Sequence, residues 1–443
     1  MALFRQESMD MTKGNPAKTI MVFAVPLFIG NVFQMFYNTV DTMVVGRFVG
    51  AHALAAVGGA GVSYSVMLML INGFMSGASV VIAQAFGADD KEAVRRGYAT
   101  SCIMIAAGGI LFTILGELLA MPLLRLLATP EDVIYDSLLY LRVMYLGILA
   151  TSLYNGLASF LRAVGDSTTP LLALLLSSGL NVALDLLFVV GFGNGVAGVA
   201  WATIIAQAVS GVYCFVRIYR KMPEFRLRPG ELKIDRAAAK EMMRIGVPAA
   251  FSTAVVQISV MLLQRAVNNY GSTVLAAYTA ENKTGQICYS LSYSIGLAVG
   301  VFVGQNRGAK REDRVREGLF SGIRISLAYH LAVMTLILIF SRQLIGLFTT
   351  DEGVINIALE IIRINAFASP LLGLNFVFQN FLRNVSDVRP TIWMSTAEVA
   401  CRGTLPFLLG MRFGYHGIWW ATPIGWLLSL AIGIRRYRSG KWR

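Results

Sequence analysis

Long stretches of this chain contain no Asp, Glu, Lys or Arg, among them 48–88, 97–116, 143–161, 245–264, 284–306 and 413–434. An uncharged, mostly apolar run of about 18 residues or more is long enough to cross a bilayer as a helix. Runs of this kind leave few folds open, because inside lipid each backbone N–H and C=O must find its partner within helices or a closed barrel. The composition agrees. The chain is 56% hydrophobic and 14% charged, against about 25% charged in a soluble domain. The sequence therefore reads as an all-α polytopic membrane protein. Breaks at charged or Gly/Pro-rich points give twelve transmembrane helices, near 18–45, 53–86, 95–120, 132–161, 168–191, 196–219, 238–264, 273–305, 315–340, 353–382, 390–411 and 416–435.

The basic residues orient this map. With the first segment placed inside, 28 of the 38 Lys and Arg fall on inner segments and five on outer loops. The positive-inside bias then predicts both termini in the cytoplasm and a multi-pass protein of the plasma (inner) membrane. It also gives the net charge of +13 a membrane meaning: orientation and contact with anionic lipid, with no nucleic-acid partner expected. Cys102, Cys214, Cys288 and Cys401 lie far apart in apolar stretches, and His52, His330 and His416 show no ligand spacing. No disulfide framework or protein-held metal is expected. The first apolar segment lacks a small-residue cleavage site, so no cleavable signal peptide is expected.

The chain also repeats itself. Gln84-x-x-Gly87-Ala88 recurs as Gln305-x-x-Gly308-Ala309, FLRAVGD (160–166) as FLRNVSD (381–387), and GVAGVAWAT (195–203) as GYHGIWWAT (414–422). Val25-Pro26 recurs as Val247-Pro248. Matches at one nearly constant offset predict two six-helix lobes, 1–219 and 238–443, joined by a basic cytoplasmic linker at 220–237. Six is an even number, so both lobes enter from the same side. The repeat is then parallel, with a pseudo-two-fold axis along the membrane normal. Such lobes are expected to enclose a central path and to rock, giving alternating access.

Polar residues inside the spans point to chemistry. On a helix, Gln34, Tyr37, Asn38 and Asp41 fall within about 100° of one another and share a face. A stripe of this kind either glues helices together or lines a polar path. An acid at mid-membrane costs about 2.5–3.5 kcal/mol on insertion scales, which makes Asp41 a functional candidate. Asn181 and Asp185 lie one turn apart in span five, and Thr203 follows in span six. Two carboxyls, an amide and a hydroxyl at similar depth would hold a monovalent cation such as Na⁺, or the carboxyls would share protons. At the repeat offset, Asp41 falls on Leu262 or Leu263, and Asp185 on Thr404, Leu405 or Pro406. Neither of these two acids is duplicated, so the ion site is expected in the first lobe alone. In the second lobe, Gln257, Glu281 and Lys283 are candidates for a cavity lining. Glu398 and Arg402 have the spacing of a helical ion pair. Pro26 would kink span one below Asp41.

Taken together, the pattern P-x7-Q-x-x-Y-N-x-x-D-x-x-x-V-G-R (26–47), the Q-x-x-G-A turns, FLRAVGDSTTP (160–170) and NVALDLLF followed by GVAGVAWAT (181–203) resemble the multidrug and toxic compound extrusion (MATE) family nearly end to end. The first-lobe acids are similar to those of its DinF-like branch. The resemblance implies an antiporter that exports amphipathic, often cationic drugs or toxic compounds in exchange for H⁺ or Na⁺, with no organic cofactor. It also implies a cation site at Asp41, Asn181, Asp185 and Thr203, with Tyr37 and Asn38 beside it. Other branches carry an acid in span seven, where this chain has Gln257 and Gln264. The family's usual proline after the span-five acid is Leu186 here. The expected partners are the lipid bilayer and a small amphipathic substrate, and the expected state is a monomer. A flippase for lipid-linked oligosaccharides, from the same superfamily, is the alternative. Catalytic signatures such as HExxH and GxSxG are absent from the sequence, so no enzyme is expected.

Overall fold

In the computed structural model, residues 8–127 and 129–443 are described; Arg5, counted above among the inner basic residues, lies outside them. The described residues are overwhelmingly helical and contain no strand. The first half comprises α1 (Pro16–Val44), α2 (Ala51–Gly87), α3 (Lys91–Leu126), α4 (Ile134–Leu146), α5 (Ile148–Ala163), α6 (Thr168–Asp185) and α7 (Gly195–Lys221). The second comprises α8 (Arg236–Asn268), α9 (Ser272–Gly308), α10 (Glu312–Gly346), α11 (Glu352–Asn384), α12 (Arg389–Phe413), α13 (Tyr415–Ile418) and α14 (Ala421–Arg438). Among the described residues, ten segments are long and apolar enough to cross a membrane, and α4 with α5 makes an eleventh, bent by 47°. The break falls at Gly147, where a Cβ would lie 2.1 Å from Ile204 Cγ1. The remaining span, α12, has 25 residues. At 1.5 Å per residue it exceeds the roughly 30 Å of hydrocarbon.

The sequence repeat is also a backbone repeat. After α2, the Ala88 N–H donates to Gln84 O at 3.0 Å; after α9, Ala309 donates to Gln305 O at the same distance. The next residues, Asp89 and Lys310, both take φ of 56°. This left-handed turn closes each Q-x-x-G-A helix end and starts the next helix. The FLRxVxD stretches likewise end α5 and α11 with a left-handed residue, Gly165 at φ 89° and Ser386 at φ 63°. Their aspartates then differ. Asp166 accepts from the Thr168 and Thr169 N–H groups at 3.0 and 2.8 Å and so caps α6. Asp387 instead accepts two bonds from the Arg436 guanidinium, at 2.6 and 3.0 Å.

The chain forms two compact units. One holds residues 8–10 with Ile29–Ala250, the other Met11–Phe28 with Phe251–Arg443. In the first unit, α2 and the start of α8 cross at glycines. A Cβ on Gly73 would lie 2.2 Å from Ala250 Cα, one on Gly77 2.2 Å from Met242 O, and one on Gly246 2.9 Å from Phe74 O. Small residues four apart on both helices allow the backbones to touch, the arrangement that favours helix pairing in lipid. The segment leading into α8 is tied to α3. Arg95 pairs with Glu231, Arg96 with Asp235 at 3.3 Å, and the Asp235 N–H donates to Thr100 Oγ1 at 2.9 Å.

In the second unit, the chain before α1 lies against α9 and α10. The Met11 N–H donates to Gln305 Oε1 at 2.9 Å. Arg314 donates to the carbonyls of Met11, Lys13 and Gly14 at 3.1–3.2 Å. Helix α1 runs through Pro26 without a break.

Any side chain larger than hydrogen at Gly77 must push α8 off α2. Gly77→Leu is expected to lower the unfolding temperature of the detergent-purified protein by several degrees, in line with the roughly 1–3 kcal/mol cost of overpacking. Gly59→Leu, where an added Cβ meets nothing within 4 Å, is the matched control and should leave it unchanged.

Candidate cation site

Three helices of the first unit build the site. Helix α1 carries Tyr37 and Asp41, α6 carries Asn181 and Asp185, and α7 carries Thr203. Helix α1 meets α6 at Gly30, whose Cβ position lies in ordinary contact distance, 3.6 Å, of Leu174 Cδ2. The carboxyls of Asp41 and Asp185 face each other within hydrogen-bonding reach. Asp185 and Asn181 are fully buried. With the Asn181 amide turned so that its nitrogen faces the acid, it donates to Asp185 Oδ2 at 3.0 Å and accepts from the Thr203 N–H at 3.2 Å. Thr203 Oγ1 donates to Val199 O at 3.1 Å and accepts from the Tyr37 hydroxyl at 3.4 Å. Asp41 Oδ1 and Asp185 Oδ1 are buried with no hydrogen-bond partner among the described residues. No described Lys or Arg pairs with either acid.

The helices change pitch beside both acids. The segments Val45–Val49, after α1, and Leu186–Gly191, directly after Asp185, are π-helical. They are the only π-helical segments among the described residues, and they pack on one another. A π turn inserts an extra residue per hydrogen bond and re-aims side chains, and such turns gather at functional sites. Leu186, where the family's proline is missing, is the first residue of one of them.

The polar face of α1 divides. Tyr37 is buried and Asp41 half-buried, whereas Asn38 is exposed and receives a 3.2 Å bond from the half-buried Gln34. Only Tyr37 and Asp41 join the residues of α6 and α7. In the second unit, Glu281 is buried and accepts from Asn365 Nδ2 at 2.8 Å. Lys283 and Gln257 are exposed. Glu398 and Arg402 pair at 3.7 Å, both nearly buried. One further buried residue, Tyr140 of α4, stands within electrostatic range of both Asp41 and Asp185. The signal for it was weak. Tyr135, Tyr140 and Tyr145 lie five apart in one span, and only packing separates the exposed Tyr135 from the buried pair.

A bundle of apolar helices that encloses two facing carboxyls, with no countercharge, has the makings of a membrane transporter. The comparisons agree. The family model MatE matches residues 26–187 and 248–403, and the chain belongs to the MATE family of membrane transporters. It is 29% identical over 436 residues to the probable multidrug resistance protein YoeA of Bacillus subtilis (strain 168), covering 96% of this chain and 94% of that one. It is 27% identical over 442 residues to the probable multidrug resistance protein NorM of Thermotoga maritima, covering 96% and 93%. Among solved structures, an outward-facing multidrug resistance MATE transporter of the MOP superfamily superposes with a TM-score of 0.91 at 22% identity, with 99% of both chains covered. A MOP-superfamily transporter from Pyrococcus furiosus, described as having a binding pocket of reverse polarity, gives 0.90 at 23% identity over 99% of both. At these identities the structures speak for the fold.

Asn181 holds Asp185 and the α7 backbone at once. Asn181→Leu keeps the bulk and leaves the buried Asp185 Oδ2 without its amide donor, which costs roughly 1–3 kcal/mol. Thermal unfolding of the purified variant is expected several degrees below that of the unchanged chain. An unchanged midpoint would show that the amide bonds carry no weight.

Proposed function

We propose that this transporter exports amphipathic, often cationic small molecules by alternating access, driven by exchange for a monovalent cation bound at Asp41 and Asp185. The observation that carries this reading is the facing pair of acids, Asp185 buried and Asp41 half-buried, without a paired base among the described residues. Two like charges held together away from water are unfavourable unless a cation or a proton joins them. Substrate that binds one state and cation that binds the other would then compete through the same conformational equilibrium. The names of relatives such as YoeA and NorM, both called probable multidrug resistance proteins, support drugs as the substrate class.

The donor set favours H⁺ over Na⁺. The Asn181 oxygen is engaged by the Thr203 N–H, and the Thr203 hydroxyl is already bonded on both sides. Among the buried oxygens of the site, Asp41 Oδ1 and Asp185 Oδ1 are left without a hydrogen-bond partner. A hard metal cation binds through several oxygens, whereas a proton needs only the carboxyl pair. With both termini on the cytoplasmic side of the inner membrane, as the distribution of basic residues favours, the inward proton gradient drives export. Within the superfamily, lipid-linked oligosaccharide flipping is the competing reading. The first-unit acids favour the antiporter.

The test is efflux of a fluorescent organic cation from proteoliposomes under separately imposed pH and Na⁺ gradients. The pH gradient is expected to drive efflux, and Asp41→Asn and Asp185→Asn each to reduce it at least tenfold while inserting normally. Glu398→Gln, which removes a charge already paired with Arg402, is expected to cost less than Asp185→Asn. Full coupled efflux by Asp41→Asn would overturn the mechanism. The reverse ranking of the other two would move the cation site to the second unit.

A further inference from the structure

Residues beyond α14 fold back instead of trailing away. The Trp442 side chain is buried, at 3% exposure. Its indole N–H donates to Tyr437 O at 3.0 Å, its ring stacks on Tyr437 at 5.6 Å with the planes 12° apart, and it meets Phe381 nearly edge-on at 5.1 Å. Arg436, bound to Asp387, also donates to Lys441 O at 3.4 Å. The result is a fixed hook on which Arg435, Arg438, Lys441 and Arg443 are all exposed. None of these four pairs with a described carboxylate, the only ion pair of the segment being Arg436 with Asp387.

The hook adjoins a second basic face. Phe320 of α10, 46% exposed, stands edge-on to Tyr437 at 6.0 Å. Arg316 and Arg324 lie four residues to either side of Phe320, on the same helix face, and neither is paired with a described carboxylate. The acids of the neighbourhood are Glu312, one turn before Arg316 and paired with Arg307 at 3.7 Å, Asp313, paired with Arg311 at 3.5 Å, Glu317, exposed on the adjoining position of α10, and Asp387, engaged by Arg436. Cations therefore outnumber free carboxylates around an aromatic floor. From Arg316 to Arg324 the helix rises about 12 Å, enough to run from the headgroup layer into the upper acyl region. A long arginine stem reaches back from there to the interface, where aromatic rings also settle.

We propose that the hook and the adjoining face of α10 form a binding site for the headgroup of an anionic phospholipid of the inner leaflet. A ligand matched to this surface must carry negative charge for the arginines and a greasy body beside the exposed Phe320. A phospholipid has both, and basic clefts beside membrane helices hold such headgroups. The proposal rests on the inner placement of this end of the chain. The binding test does not depend on sidedness or transport, so its failure would leave the antiport reading intact.

The full chain, purified in neutral detergent, is mixed with phosphatidylglycerol, phosphatidylcholine or inorganic phosphate. Bound lipid is counted by native mass spectrometry and the unfolding temperature is read in parallel. Phosphatidylglycerol is expected to remain bound at one or two copies and to raise the midpoint by several degrees, with phosphatidylcholine and phosphate doing neither. Arg316→Gln/Arg438→Gln should lose both effects with its lipid-free midpoint unchanged, and Trp442→Ala, which frees the hook, should lose retention. Equal retention of phosphatidylcholine, an equal shift by phosphate, or full phosphatidylglycerol binding by the double variant would each overturn the proposal.

Discussion

Two carboxyls face each other in an apolar helical bundle, and no base among the described residues pairs with them. Burying one unpaired charge is expensive, and burying two of the same sign side by side is worse. The surrounding structure limits this cost without removing it. Asn181 ties Asp185 to the α7 backbone, Tyr37 ties α1 to Thr203, and Tyr140 stands close by. What remains are two carboxylate oxygens aimed at no protein donor. A site that the protein leaves electrically incomplete is one whose stability depends on what binds it, and that dependence is the basis of coupling.

The duplicated scaffold shows which features serve the fold and which the site. The Q-x-x-G-A and FLRxVxD turns return with the same backbone conformation in both halves. The acids and the π-helical turns beside them do not return. The first helix of each half is divided between the compact units. The unit boundaries fall after Phe28 and after Ala250, each two residues past the proline of a repeated Val-Pro. Proline withholds an amide from the helix ladder, so each long helix has its missing hydrogen bond where its packing partners change. The glycine crossing of α2 on α8 fixes one of these half-helices in place.

Much of this was legible in the sequence, for physical reasons. Charge-free runs of about 18 residues have few alternatives to membrane helices, so the spans could be read directly. The repeat offset identified the turns and the lack of an acid in the second copy. Helical angles put Tyr37 and Asp41 on one face, but could not show that Gln34 and Asn38 would turn to each other. A stripe about 100° wide has an inner and an outer edge, and only neighbouring helices decide which is which. Tyr140 and the π turns were hidden because they depend on contacts between spans far apart in sequence. The pairing of Glu281 with Asn365 across 84 residues was hidden for the same reason.

The central claim is that Asp41 and Asp185 hold the cation that substrate displaces. The most direct measurement is the proton count on substrate binding, made with purified protein in weakly buffered detergent solution. Addition of tetraphenylphosphonium, an amphipathic organic cation, is expected to release protons from the unchanged chain, and little or nothing from Asp41→Asn. Undiminished release from Asp41→Asn, or none from the unchanged chain when the probe is bound, would contradict the account.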